Sequence, residues 1–135
     1  MYRIAIIAPP DCYRKSVVKE FMLKIKNTFG NTATILSGGN PTGVEQTVKQ
    51  LALEYGMKYK EYNPAYTGKN LYSACDESYY SKGKHFTHYL HRYQMMLSNT
   101  ERLVIVKQED SRDWDSIYGF VAKTAEKKKI KMVFI

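Results

Sequence analysis

Two clusters in this 135-residue chain combine residue types that hold anions or move protons. The first is Ser37-Gly38-Gly39-Asn40-Pro41-Thr42-Gly43-Val44-Glu45. The Ser37 hydroxyl can donate to a phosphate. Gly38 and Gly39 let the backbone approach a ligand with no Cβ in the way. Asn40-Pro41 signals a turn, and Thr42 and Gly43 lead into a helix whose free N–H groups and macrodipole favour an anion. Glu45 falls in the first helical turn. There a carboxylate can bond a ribose hydroxyl or act as a general base, and acidity at a helix N-terminus is also favourable in itself. The stretch lacks the Gly-Lys-Ser/Thr ending of a Walker A loop and is not GxGxxG. A plain strand-to-helix turn uses glycine as well, but two adjacent glycines and a third at Gly43 exceed what turning requires.

The second cluster is His85, His88, His91 and Arg92, which contains every histidine of the chain. His88 lies three residues from His91 and four from Arg92, so the three share a helical face. No Asp, Glu or Cys joins that face, and neither a metal nor a cofactor is expected there. Phosphate or nucleotide contact and a plain solvated face are equally compatible with the spacing. Arg92 is the strongest binder of the group, since guanidinium pairs bidentately with phosphate. Tyrosines between Tyr59 and Tyr80 could stack on a base or simply pack between helix and sheet. The segment 108–116 is acidic and carries the only tryptophan, Trp114.

Short apolar runs separated by helical periodicity must position these clusters. Strands are expected at Arg3–Ala8, Thr32–Leu36, Met57–Tyr62, Leu103–Val106 and Ile130–Ile135. The first and second runs have the near-continuous apolar character of buried parallel strands. Helices are expected over 14–29, from Val44 to Tyr55, over 85–98 and from Ile117. Asp11 is a candidate N-cap for the first, and Gly30 and Gly56 are stops. Residues 65–84 have no period and read as a long loop. The alternation predicts a single α/β domain, a five-stranded, mainly parallel sheet with helices on both faces in three layers. The loops 9–13, 37–43, 63–84 and 107–115 then share the carboxyl rim, where such sheets bind ligands.

Composition sets wider bounds. An apolar fraction of 44% fits a globular domain and argues against disorder. The N-terminal apolar run is five residues, ended by prolines, too short for a secretory signal; a cytoplasmic protein with no membrane span is expected. Cys12 and Cys75 form no CxxC pair and read as reduced thiols. Lys plus Arg number 21 against 13 Asp plus Glu, a net charge of +8 that favours an anionic partner. Lys127, Lys128 and Lys129 suit the end of the last helix.

Taken together, the Ser37–Glu45 turn, the helix ending Ala52-Leu53-Glu54-Tyr55-Gly56-Met57, and His91-Arg92-Tyr93-Gln94-Met95-Met96 before an apolar strand resemble the SLOG superfamily of Rossmann-like nucleotide-binding domains. That superfamily includes cytokinin-activating phosphoribohydrolases, a DNA-processing recombination mediator, and small bacterial and phage modules. The resemblance spans nearly the whole chain. It implies a phosphate site at Ser37, Gly38, Gly39 and Gly43, with Glu45 at the acidic position and Arg92 near the ligand. The hydrolase branch carries a second motif, Pro-Gly-Gly-x-Gly-Thr-x-x-Glu, after the fourth strand. Residues 107–116 stand there with no glycine, so that branch's catalytic glutamate has no counterpart.

The leading expectation is a module that binds or senses a nucleotide-type ligand. Asn40, Thr42, Glu45 and His88 join the glycines and Arg92 as its contacts. One alternative is an N-glycosidic hydrolase or transferase using Glu45, or Asp113 or Asp115, with Arg92. A second is a basic nucleic-acid-binding module. A homo-oligomer is compatible with each.

Overall fold

The computed structural model describes residues 2–9, 12–81, 86–107 and 119–135, with residues 81 and 86–90 as backbone only. Five strands, β1 (Tyr2–Ile7), β2 (Ala33–Ser37), β3 (Lys58–Glu61), β4 (Arg102–Ile105) and β5 (Lys131–Phe134), form one sheet. Its order is β3-β2-β1-β4-β5 and every neighbouring pair is parallel. The chain winds outward from β1 in both directions, so the order reverses between β1 and β4.

β1 shows why the sheet is central. Its residues alternate between two cores. Ile4 and Ile6 join Val18, Met22, Val44 and Val48 of helices α1 (Lys15–Phe29) and α2 (Val44–Glu54). Ala5 and Ile7 join Tyr93, Met96, Val121 and Ala125 of α4 (Phe86–Leu97) and α5 (Gly119–Lys127). A strand flanked by helices on both faces must be apolar throughout, which explains its unbroken run. The expected three-layer architecture is therefore the observed one.

The strand and helix boundaries fall within one or two residues of expectation. Gly30 and Gly56 follow α1 and α2 with φ of 55° and 68°, the left-handed conformation that ends helices. The candidate cap Asp11 and the start of the last helix at Ile117 lie outside the described residues. Arg14, just before α1, caps nothing; its Nη1 donates instead to the carbonyls of Lys107 and Ile135, at 3.1 and 2.9 Å. The period-free stretch after β3 departs from a plain loop: it contains a 3-10 turn, Ala65–Thr67, and a short helix, α3 (Glu77–Ser81). Cys12 and Cys75 are both buried thiols outside any disulfide. Among the described residues no helix is long and apolar enough to cross a membrane.

At the amino end of the sheet Glu101 ties β4 to β1. Its carboxylate accepts the Arg3 amide at 2.7 Å and the Arg3 guanidinium at 2.7 Å. These bonds hold the Glu101 carboxyl below the usual carboxylate range. Its stabilisation is thus present above the unfolded-state value of about 4.3 and lost as pH falls through the lower folded-state value. Urea unfolding of the wild type and Glu101→Gln should differ by no more than about 1 kcal/mol at neutral pH, because both side chains are a third or more exposed. That difference should vanish toward pH 2. In the core, Ile6→Ala should cost about 2–5 kcal/mol in the same measurement.

Candidate functional site

The glycine turn leaves β2 at the carboxyl rim, as its position between strand and helix requires. Ser37, the last residue of β2, is fully buried, and its Oγ accepts the Gly39 amide at 3.1 Å. Gly39 has φ of 67° and Gly43, the residue preceding α2, has φ of 75°. Both conformations favour glycine. Asn40 is 5% exposed, and its Nδ2 is buried with no hydrogen-bond partner among the described residues. Pro41 and Thr42 are exposed.

Close approach at the glycines is by the protein's own atoms. A Cβ on Gly38 would stand 2.7 Å from Glu45 Oε1 and 3.3 Å from Arg92 Nη1. A Cβ on Gly39 would stand 2.6 Å from Asn63 Cβ and 2.7 Å from its Cα. Both distances are below any real Cβ contact. The two glycines let a carboxylate, a guanidinium and the start of the next loop close around the turn.

Glu45 and Arg92, the pair expected to do chemistry, are 1% and 0% exposed. Glu45 Oε2 accepts the Ala8 amide at 3.1 Å and Oε1 accepts the Asn40 amide at 3.2 Å. One carboxylate thus joins the ends of β1 and β2 to α2. Burial pushes its pKa up, against the opposing pull of Arg92 and the two amides. Arg92 Nη1 donates to the carbonyls of Gly38 and of Tyr62, the latter at 2.9 Å, and Nη2 donates to the Tyr93 hydroxyl at 2.8 Å. The guanidinium also lies 4.2 Å from the Tyr93 ring centre, within cation–π range.

The turn's amides are largely committed as well. Gly39 and Asn40 donate to Ser37 and Glu45, and Val44 donates to the Cys12 carbonyl at 2.9 Å. The Glu45 carboxylate therefore occupies part of the anion cradle that the sequence pattern suggests.

Beside the turn, between α2, β3 and the following loop, lies a cavity of about 370 Å³. Asn40 and Glu45 form its turn end, and Gln46, Lys49 and Gln50 its α2 wall. Glu61 and Asn70 stand opposite. Glu61, 2% exposed, is the last residue of β3. Its carboxylate accepts the Tyr59 hydroxyl at 2.7 Å, Asn70 Nδ2 at 2.5 Å and Lys49 Nζ at 3.3 Å. Burial, followed by the Glu61 charge, pushes the Tyr59 pKa up and keeps it a donor.

Asn63 locks the loop after β3. Its Nδ2 donates to Thr67 Oγ1 and the Gly68 carbonyl, at 2.8 and 2.6 Å. Its Oδ1 accepts the Ser73 and Tyr80 hydroxyls, at 2.8 and 2.5 Å. Burial raises the nearby Cys75 thiol to about 11, so it stays a neutral packing group.

Ser37, Gly38, Gly39, Asn40, Gly43, Glu45 and Arg92 are thus brought together at one rim. His91 is not: it is exposed on the outer face of α4, 3.3 Å from Gln94 Oε1. His85, Trp114, Asp113, Asp115 and the side chain of His88 lie outside the described residues. Glu61 and Asn63 escaped the sequence reading. The alternation of Met57–Tyr62 could have flagged Glu61 as an acidic residue at a strand's carboxyl end. Asn63 stands before Pro64, and in sequence that pair signals no more than the end of a strand.

No family model matches the chain, and no curated protein does. Among solved structures it is similar to DNA processing protein A (DprA) from Streptococcus pneumoniae. The two share 10% identity at a TM-score of 0.55, over 98% of this chain and 58% of that one. This chain therefore spans less than two thirds of that protein's length. At such identity the likeness is one of fold, and it agrees with the strand order described above: the fold is Rossmann-like.

Proposed function

We propose that this domain binds a nucleotide-type ligand at the carboxyl rim, with its sugar or base in the cavity between α2 and β3. The observation that carries this reading is the cavity itself. It adjoins the glycine turn, and its polar lining is drawn from Asn40, Gln46, Lys49, Gln50, Glu61 and Asn70. Amides and carboxylates of this kind recognise hydroxyl and amino groups. The buried Asn40 Nδ2 at its turn end lacks a partner among the described residues, and such a group is costly until one arrives. The phosphate of the ligand belongs over Pro41 to Gly43, where α2 begins and its macrodipole favours negative charge. The likeness to a protein named for DNA processing is compatible with a nucleotide-related ligand.

Glu45 and Arg92 serve this site as positioning residues, since Glu45 spends both oxygens on rim amides and Arg92 spends Nη1 on rim carbonyls. Turnover would need a group at the cavity free to react; Glu45, which forms its turn end, has both carboxylate oxygens engaged by backbone amides, and Arg92 does not line it. Binding without turnover follows as the favoured reading over N-glycosidic cleavage.

Calorimetric titration with AMP, ADP-ribose and cyclic nucleotides should give saturable binding to at least one of them. No heat at millimolar ligand, from folded protein, overturns the reading. Gln50 is exposed on α2, so Gln50→Trp should fill the cavity mouth and weaken binding at least about tenfold, or about 1.4 kcal/mol, with an unchanged melting curve. Arg92→Met removes a buried charge that holds two strand-end carbonyls. It should lower stability by about 3–5 kcal/mol, with any loss of binding following the loss of fold.

A further inference from the structure

A second concave surface lies on the outer side of the helix layer formed by α4 and α5. It is a groove of about 580 Å³. His91, Gln94, Met95 and Ser98 line it from α4, a spacing of three, four and seven that keeps them on one face. Phe120, Lys123, Thr124, Lys127 and Lys128 line it from α5. Met95 and Phe120 are half-buried and form an apolar floor, while the three lysines and His91 are exposed.

Three features separate this groove from an ordinary solvated face. No carboxylate among the described residues lines it. None of its lysines forms an ion pair with a described residue, whereas Arg3, Lys49 and Lys69 are each paired. Lysines in the last turn suit the helix macrodipole, which accounts for Lys127 and its successors, but Lys123 lies a full turn earlier. Lys123 and Lys127 are four residues apart, which sets their Cβ atoms about 5–6 Å from one another along the groove. The chain's net charge of +8 adds a long-range attraction for polyanions.

From this arrangement we propose that the α4–α5 groove binds a single-stranded nucleic acid through successive phosphates. The strand's phosphates meet Lys123, Lys127 and Lys128, and a base or sugar rests on Met95 and Phe120. An aromatic surface beside a cationic track is the chemistry that holds single strands without regard to sequence. A concave groove suits a strand better than a membrane, which needs a flat or convex face. The groove shares no lining residue with the cavity beside the glycine turn, so this proposal stands apart from the nucleotide reading.

Fluorescence anisotropy of a labelled oligothymidylate of about 20 nucleotides, read from about 50 to 300 mM NaCl, tests it. Three phosphate contacts at about 0.7 counterions each predict a slope of log affinity on log salt near −2. The double variant Lys123→Glu/Lys127→Glu should bind at least about tenfold more weakly at the lowest salt, with a slope nearer −0.7. Lys58→Glu/Lys60→Glu makes the same charge change on exposed residues of β3 and should leave affinity within about twofold. Equal losses in both variants would reduce the effect to overall charge and overturn the groove assignment. So would absence of binding at about 50 mM salt, or equal binding to phosphatidylserine vesicles that depends on the same lysines. Melting curves of both variants, unchanged from wild type, establish that the loss is one of contact.

Discussion

The carboxyl rim depends on one buried electrostatic arrangement, the Glu45 carboxylate and the Arg92 guanidinium on either side of Gly38. Each taken alone would be expensive to remove from water. Backbone groups left without regular partners where strands end take up both Glu45 oxygens and Nη1 of Arg92. Glu45 takes amides from the ends of β1 and from the turn after β2. Arg92, reaching in from the opposite helix layer, gives to carbonyls after β2 and after β3. Donors and acceptors orphaned by the end of the sheet are thereby covered from both faces. The glycine at 38 is the space in which this happens.

That arrangement gives familiar residue types a different role. A glycine pair followed by threonine, glycine and glutamate reads as a bare cradle awaiting phosphate. In the folded chain much of the cradle is occupied by the protein's own carboxylate, and open volume lies to one side, between α2 and β3. On the proposed reading, recognition shifts from backbone amides toward amide and carboxylate side chains. Such a site can discriminate among sugars and bases more finely than a phosphate nest can, since its groups carry both donor and acceptor character.

The architecture was legible because it is written in periods. Two-sided burial gives β1 an unbroken apolar run, α1 and α4 repeat at three and four, and glycines stand where helices stop. The position of the turn was legible for the same reason. What escaped were contacts between residues far apart in sequence. Nothing near Asn63 announces that its amide will organise residues as distant as Tyr80, or that its Cα will rest on Gly39. Residues 65–81 have no hydrophobic period because much of their order comes from Asn63 and Glu61. Likewise the local spacing of His91 and Arg92 puts them side by side, yet one faces solvent and the other is fully buried. Adjacent helical positions point about 100° apart, and only the packed structure tells which of them meets the sheet.

The crossing of Gly39 over Asn63 also bears on how such a chain can diverge. With the Asn63 backbone where it is, position 39 admits no side chain, whatever ligand the rim holds. Natural variants that keep this crossing would keep glycine there even after binding was lost, while those that relocate the loop after β3 would be released from it. Constancy at 39 is therefore a record of chain geometry. Drift at the exposed cavity residues Gln46 and Gln50, which the fold leaves free to vary, would instead record a change of ligand.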